Sequence, residues 1–194
     1  MKPYDVGLLV GRFQHFHLGH EMLVETASKL CDRVLILVGS AQESGTLRNP
    51  FNISTRIDVI KAIYGDEVIV KALPDLTNES DITFQWGKYV FENADRYIYK
   101  APELMIYGNE VSRSGWFDPN DIKDTFEMIV PRSKCPISAT MIREMIVRDD
   151  RKEWMKWVNP KLHKFYDQLR AELLATQPYA EIFQKLIKKE NENK

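Results

Sequence analysis

The most informative stretch of this sequence is Val10-Gly11-Arg12-Phe13-Gln14-His15-Phe16-His17-Leu18-Gly19-His20. The residues just before it, 6–10, form an apolar run of strand length. The residues just after it, 21–30, carry apolar side chains at helical spacing. The stretch therefore predicts a turn that leads from a strand directly into a helix.

The predicted turn has the properties of an anion site. The first backbone N–H groups of a helix have no partner within the helix, and the aligned peptide dipoles place partial positive charge there. His17 and His20 share one face of the first turn, while Gly19 lets a ligand approach the backbone. Phosphate is an anion that such a helix start commonly binds.

Other interpretations of the stretch fit less well. Neither Gly-x-Gly-x-x-Gly nor the Walker pattern is present. A zinc site needs about three or four ligands, and the nearby candidates His15 and Cys31 lack the spacing of metal ligands. The alternative that stays open at this point is a pair of surface histidines on an ordinary helix.

Length and composition limit the class of protein. A chain of 194 residues is long enough for one well-buried domain and short for two. Its formal net charge of −1 provides no basic field for a nucleic acid polymer, so we expect no such partner. Cys31 and Cys135 lie far apart, which is typical of reduced thiols, and no apolar run reaches the about 18 residues of a membrane span. We therefore expect a cytoplasmic protein without a membrane partner.

Apolar runs alternate with helical patterns along the chain. Residues 33–39 are nearly all β-branched or leucine, as in a parallel strand that is covered on both faces. The alternation predicts an α/β fold with a doubly wound parallel sheet within residues 1–150, and a helical C-terminal extension, 151–194, packed on the same domain. The predicted strands are 6–10, 33–39, 67–73, 103–107 and 125–130, and the predicted helices are 21–30, 54–64, 81–93, 141–147, 161–175 and 179–189.

A second stretch suited to phosphate lies near the end of the predicted sheet, at Ile137-Ser138-Ala139-Thr140-Met141-Ile142-Arg143. It places two hydroxyl groups at a helix start and an arginine one turn further on, a set that fits the outer phosphates of a triphosphate. An ordinary capped helix is the alternative for this stretch taken alone, because Ser-x-Thr is common at helix starts.

Both stretches resemble signatures of one superfamily. Gly11-Arg12-Phe13-Gln14 followed by His17-Leu18-Gly19-His20 resembles the opening signature of the adenylyl- and cytidylyltransferases, and residues 137–143 resemble their Ile-Ser-x-Thr-x-Ile-Arg segment. Family members usually have proline where this chain has His15. The resemblance implies the Rossmann-like nucleotidyltransferase form of the doubly wound sheet.

A third segment narrows the resemblance. Gly39-Ser40-Ala41-Gln42-Glu43-Ser44, followed by Thr46, Asn49-Pro50-Phe51 and Arg56, is similar to the segment that marks the archaeal-type nicotinamide-mononucleotide adenylyltransferases, including those fused to a Nudix hydrolase. The tail contains no Nudix box, so we expect the adenylyltransferase part alone.

The resemblance implies an activity and a set of site residues. The activity joins ATP and nicotinamide mononucleotide into NAD and releases pyrophosphate, with Mg²⁺ accompanying ATP and no residue assigned to the metal. The residues that the resemblance implies for catalysis are Arg12, His17, His20 and Arg143. Those implied for ATP binding are Gly11, Phe13, Gly108, Asn109, Ser138, Thr140 and Arg143. Those implied for mononucleotide binding are Ser40, Gln42, Arg48, Asn49 and Trp86. Trp86 would stack on the nicotinamide ring, with a core aromatic as its alternative, and Arg48 would contact phosphate, with a charged loop residue as its alternative.

Other functions stay open from the sequence. A sister transferase would use a different phosphomonoester acceptor, and a nucleotide-sensing module would bind without catalysis. A class I aminoacyl-tRNA synthetase shares a similar histidine turn, but it would need a lysine-rich second signature and a much longer chain. The sequence also leaves a homo-oligomer open.

Overall fold

The computed structural model describes residues 1–76, 83–108 and 115–192. Within these ranges, five parallel strands form one sheet in the order β3-β2-β1-β4-β5. This arrangement confirms the predicted doubly wound α/β fold. The strands are β1 (Tyr4–Gly11), β2 (Cys31–Val38), β3 (Ile69–Ala72), β4 (Leu104–Gly108) and β5 (Phe126–Val130).

The helices connect the strands and continue beyond the sheet. They are α1 (Leu18–Leu30), α2 (Ile53–Tyr64), α3 (Phe84–Ile98), α4 (Ala139–Val147), α5 (Arg151–Lys156), α6 (Tyr166–Ala175) and α7 (Gln177–Glu192). Two short 3₁₀ helices cover Arg132–Lys134 and Pro160–Phe165. In the part of the chain that the structure describes, no helix has both the length and the apolar character needed to cross a bilayer.

The sheet is covered on both faces because successive side chains of each strand point to opposite sides. In β2, Val34 and Ile36 belong to the hydrophobic cluster under α1, α2 and α4. Leu35 and Leu37 belong instead to the cluster under α3. Apolar residues are therefore needed at nearly every position of this strand, which explains its continuous apolar run.

The strand order creates a crevice at the carboxyl ends of β1 and β4. The chain moves from β1 to β2 and β3 on one side, and then crosses over to place β4 on the other side of β1. In open α/β sheets, ligands bind at such a reversal of strand order. The crevice opens just after Gly11 of β1 and Gly108 of β4.

The predicted helices need three corrections. The helix predicted over 161–175 is divided, because Pro160 opens a 3₁₀ segment for which Asn159 accepts a hydrogen bond from the Lys161 N–H at 3.0 Å. Helix α5 was not predicted; the side chain of Asp150 caps its first turn. The third helix continues past the predicted end to Ile98, while its predicted start, 81–82, lies outside the described residues.

The C-terminal helices pack on the sheet domain. Buried side chains of these helices, among them Trp154, Leu162 and Leu169, share one hydrophobic cluster with Ile60 of α2 and Ile142 of α4. A division of the chain at residue 150 stays a prediction.

Glu172 of α6 is bonded to the first turn of α2. Its carboxylate accepts hydrogen bonds from the backbone N–H and side-chain amide of Asn52, both at 2.6 Å, and from the Thr55 hydroxyl at 2.7 Å. A negative charge at a helix start is also favourable with respect to the helix dipole.

Gly87 provides a test of the packing of α3. A Cβ at this position would lie 2.0 Å from the carbonyl oxygen of Trp116 and 2.8 Å from the ring of Phe117. We expect Gly87→Ala to lower the free energy of unfolding by about 1–3 kcal/mol, the usual cost of overpacking, although alanine is the better helix former. The measurement is urea unfolding of the purified protein.

Gly39→Ala is the matched control, because its new Cβ would lie 3.7 Å from the nearest atom, an ordinary contact. Unchanged or increased stability of Gly87→Ala would show that the 116–117 backbone does not pack against α3 in this way.

Candidate active site

A cavity of about 350 Å³ lies in the crevice at the ends of β1 and β4. It brings together nine of the residues predicted for the site: Arg12, Phe13, His17, His20, Arg48, Gly108, Ser138, Thr140 and Arg143. The other lining residues are Gln14, Gly19, Met22, Leu23, Val130, Cys135, Ile137 and Ala139. Residues from both stretches that the sequence predicts to bind phosphate therefore face one space.

The two histidines form a stacked pair at the start of α1. His17 has an extended backbone just before the helix, and His20 lies in the first turn. Their ring centroids are 3.8 Å apart and the ring planes differ by 23°. A Cβ at Gly19 would lie 3.0 Å from Cε1 of His17, so glycine leaves room for that imidazole.

The start of α1 offers fewer free N–H groups than the sequence suggests. The N–H of Leu18 donates to the carbonyl of Trp157 at 2.9 Å, and those of His20 and Glu21 donate to the carbonyl of His17 at 2.8 and 3.0 Å. The predicted anion site would therefore depend more on side chains than on the backbone of the helix start.

Arg143 is buried beside the cavity and is held by three hydrogen bonds. It donates from Nε to the Tyr179 hydroxyl at 2.6 Å, from Nη2 to the Thr140 hydroxyl at 3.2 Å, and from Nη1 to the carbonyl of Gln14. The Ser138 hydroxyl accepts a bond from the Met141 N–H at 3.2 Å and so caps α4. The hydroxyl groups of Ser138 and Thr140, both predicted to bind ATP, therefore each make a hydrogen bond within the chain.

Two further side chains shape the site, and the sequence assigned neither of them a role. Gln14 is bonded to Phe51 in both directions, donating to its carbonyl at 3.2 Å and accepting from its N–H at 3.0 Å. Arg56 donates to the carbonyls of Arg12 at 3.0 Å, Gly39 at 2.7 Å and Ser40 at 3.0 Å. Gln14 lies in the stretch 10–20 and Arg56 in the segment quoted with residues 39–51. Their presence in these motifs was the only sign in the sequence of a role at the site.

Burial and the nearby charge of Arg12 lower the pKa of Arg56 to about 10. Arg56 is nevertheless charged at neutral pH, and it holds together the ends of β1 and β2.

The remaining predicted residues that the structure describes are not among the lining residues of the cavity. Asn49 is buried and accepts a bond from Arg12 Nη1 at 3.4 Å. Gln42 is bonded to Asp75, whose carboxylate accepts from the Gln42 amide at 3.0 Å. Ser40 is buried after β2, and Gly11 ends β1. Asn109 lies outside the described residues.

Trp86 belongs to α3, is 7% exposed, and is part of the hydrophobic cluster between α3 and the sheet. Its neighbour in the helix, Phe84, is 47% exposed, so Phe84 does not fill this part of the core.

The lining is strongly cationic. It contains Arg12, Arg48 and Arg143 together with the histidine pair, and none of the described lining residues is acidic. Such a surface suits a ligand that carries several negative charges, and guanidinium groups can bind two phosphate oxygens at once.

Comparison with known proteins shows the family of this chain. The family model described as cytidylyltransferase-like matches residues 8–145, which include both of the stretches that the sequence predicts to bind phosphate. The chain belongs to this family.

Three relatives with the same name indicate a narrower group within this family. The chain is 35% identical to the nicotinamide-nucleotide adenylyltransferase of Pyrococcus furiosus, with 84% of each chain covered. It is 32% identical to that of Thermococcus onnurineus, with 88% of each covered, and 26% identical to that of Saccharolobus solfataricus, with 86% of this chain and 92% of the relative covered. The chain therefore belongs with the archaeal-type nicotinamide-nucleotide adenylyltransferases that the sequence resemblance indicated.

A solved structure shares the fold. The bifunctional NMN adenylyltransferase/ADP ribose pyrophosphatase of Francisella tularensis, complexed with AMP and a manganese ion, matches with a TM-score of 0.69 and 21% identity. The match covers 96% of this chain and 56% of that one, so this chain spans just over half the length of the bifunctional protein.

His15 gives the site region a measurable pH dependence. Its ring is 2% exposed and stacks on Trp154, with centroids 6.0 Å apart and planes within 8°. Burial, with the nearby charges of His17 and Arg143, lowers the pKa of His15 from 6.5 to about 3. Between these two values the unfolded chain binds a proton that the folded chain does not, so stability falls as the pH drops below about 6.5.

We expect His15→Gln to remove this part of the pH dependence. Between pH 7 and pH 5, the parent should lose about 2 kcal/mol more unfolding free energy than the variant. Urea unfolding of both proteins at pH 7 and pH 5 measures these losses. Other titrating groups contribute equally to the loss in each protein, so they cancel when the two losses are compared. Equal losses in the two proteins would show that His15 is not buried in its neutral form.

Proposed function

We propose that this protein transfers the adenylyl group of ATP to nicotinamide mononucleotide, giving NAD and pyrophosphate. The observation that carries the proposal is the stacked pair of His17 and His20, which faces a cationic cavity of the size of a small ligand at the end of the sheet. Membership of the family and the names of its relatives support the same reaction.

The proposed reaction needs no general base. An oxygen of the mononucleotide 5′-phosphate attacks the α-phosphorus of ATP, a new P–O bond forms, and the bond to the oxygen that bridges to the β-phosphorus breaks. The electron pair of the broken bond leaves with pyrophosphate. Because the attacking phosphate is already ionised at neutral pH, the protein's task is to position the substrates and to neutralise developing charge.

The cavity suggests how these tasks are divided. Arg12, His17 and His20 would hold the α-phosphate and the bridging oxygen. Arg143 would hold the departing β- and γ-phosphates near the start of α4, the helix that carries Ser138 and Thr140. The adenosine would lie along the ends of β1 and β4, next to Gly11, Phe13, Gly108 and Asn109.

The mononucleotide would lie on the side of the 40–52 segment. Arg48 lines the cavity, and Asn49 is bonded to Arg12, so this segment reaches the proposed phosphate site directly. Ser40, Gln42 and Trp86 are proposed as the more distant contacts of the acceptor.

Magnesium is proposed as the ion that accompanies ATP. The described lining residues include no carboxylate, and no cluster of His, Cys, Asp or Glu among the described residues is placed to hold a metal ion. Magnesium prefers oxygen ligands and commonly binds through phosphates and water. The cavity therefore fits an ion held by the triphosphate itself, where it would neutralise part of the phosphate charge.

We also propose a cytoplasmic location. Cys31 and Cys135 are both free thiols, as is usual in a reducing compartment.

The reaction is tested by measuring pyrophosphate release with ATP and a panel of acceptors. The panel contains nicotinamide mononucleotide, nicotinate mononucleotide, phosphopantetheine and glycerol 3-phosphate. We expect release with the nicotinamide acceptor, and chromatography should identify NAD. Release with another phosphomonoester alone would make the protein a sister transferase. ATP binding without release would make it a nucleotide-binding module.

His20→Ala tests the histidine pair. Loss of one preorganised donor to transition-state charge lowers turnover by about 100- to 1,000-fold, so we expect a loss of that size with a much smaller change in ATP affinity. His163→Gln is the control, because His163 lies in the C-terminal extension outside the cavity lining. Turnover of His20→Ala within a few-fold of the parent would remove His20 from the phosphate site.

Trp86 tests the acceptor side. An indole that stacks on a cationic pyridinium ring contributes about 0.5–2 kcal/mol, so we expect Trp86→Phe to raise the KM for the mononucleotide by up to about tenfold. The KM for ATP should change little. Trp154→Phe is the matched control, because Trp154 is fully buried away from the cavity and should affect only the melting temperature. A large fall in melting temperature with an unchanged KM would make Trp86 a core residue only.

A further inference from the structure

Tyr179 connects the C-terminal extension to the cavity. It lies in the first turn of α7 and is 6% exposed. Its hydroxyl accepts the hydrogen bond from Nε of Arg143 at 2.6 Å and donates to the carbonyl of Leu47 at 2.8 Å. The family model ends at residue 145, so its match does not include Tyr179.

We propose that Tyr179 is a positioning residue for adenylyl transfer, acting through the guanidinium of Arg143. The proposal rests on the proposed function, in which Arg143 holds the departing phosphates. Tyr179 would fix the direction in which Arg143 presents its remaining N–H groups to the cavity.

The hydroxyl of Tyr179 accepts one hydrogen bond and donates another. A phenol has one O–H to donate and lone pairs to accept. Because the O–H is donated to the carbonyl of Leu47, the hydroxyl cannot rotate its hydrogen toward the guanidinium, and a lone pair faces Nε of Arg143. Phenylalanine would keep the ring in place and lose both bonds.

The guanidinium of Arg143 is held on all three nitrogens. Tyr179 takes the Nε donor, the carbonyl of Gln14 takes one donor of Nη1, and the Thr140 hydroxyl takes one donor of Nη2. One N–H on each terminal nitrogen is then left to meet a phosphate. Arg143 also lines the cavity, so small rotations of its planar group would misdirect both of these donors.

Of these three partners, Tyr179 is the one supplied by the C-terminal helices. Gln14 and Thr140 come from the two phosphate-binding stretches themselves. The extension would therefore contribute to the chemistry through one hydroxyl, in addition to its packing on α2 and α4.

The experiment compares Tyr179→Phe with the parent in steady-state kinetics, in calorimetric titration with ATP, and in thermal unfolding. A hydrogen bond to a charged group is worth about 1.5–3 kcal/mol, which corresponds to roughly 10- to 100-fold. We expect kcat to fall at least about tenfold and the Kd of ATP to rise several-fold. The KM for the mononucleotide should change less than the Kd of ATP, since only the bond to Leu47 reaches the 40–52 segment.

Tyr166→Phe is the matched control. Tyr166 is a buried tyrosine of the same extension, and its hydroxyl donates to Asp149 at 2.9 Å. It should lower the melting temperature by an amount comparable with that of Tyr179→Phe and leave kcat and the ATP Kd unchanged. If Tyr179→Phe behaves like Tyr166→Phe, with lower stability and unchanged kinetics, Tyr179 is only structural and the proposal is overturned.

A double variant tests whether Tyr179 acts through Arg143. In an Arg143→Lys background the Nε donor is absent, so adding Tyr179→Phe should have little further effect on kcat or on the ATP Kd. Multiplication of the two single effects would contradict the proposal. The ATP titration needs no acceptor, so it decides the role of Tyr179 even if the acceptor panel shows that the proposed reaction is wrong.

Discussion

A buried guanidinium supports the floor of the candidate site. Arg56 reaches from α2 to the backbone carbonyls that follow β1 and β2, and its side chain is 1% exposed. Burying a charge is costly unless its donors are satisfied. Here the carbonyl dipoles of Arg12, Gly39 and Ser40 satisfy them, and the two strand ends are held at a fixed separation. The histidine turn after β1 and the 40–52 segment after β2 both begin from this support.

The three histidines that follow β1 have different surroundings. His15 is enclosed by Trp154 and Phe51 and is held in its neutral form, whereas His17 and His20, only a few residues further, line the cavity. One short segment therefore supplies both a buried anchor and polar side chains that line the cavity. Gly19 makes this arrangement feasible because it gives the imidazole of His17 space beside the helix backbone.

The sheet and the histidine pair could be predicted from the sequence because both depend on local patterns. A strand covered on both faces is apolar throughout. The i, i+3 spacing predicted that the two histidines face one side, and their rings do stack, although His17 precedes the helix instead of lying in its first turn. The hydrogen bonds that hold the side chains of the candidate site in place could not be predicted from the sequence. Gln14, Arg56 and Tyr179 reach backbone or side-chain atoms distant in sequence, and a backbone carbonyl leaves no signal in the identity of its residue. The division of the helix predicted over 161–175 has a different origin, because it follows from Asn159 and Pro160, a local signal that the prediction did not use.

The carboxylate of Glu172 has a consequence for how this protein responds to heat. Helix α6 lies outside the sheet, yet its carboxylate holds the first turn of α2, the helix that carries Arg56. Peripheral elements open more readily than the central strands of a sheet. Detachment of the C-terminal helices would thus release the 40–52 segment while the five strands are still paired. Heating should inactivate the protein at a lower temperature than the one at which its β-sheet melts, and brief heating below that second temperature should be reversible.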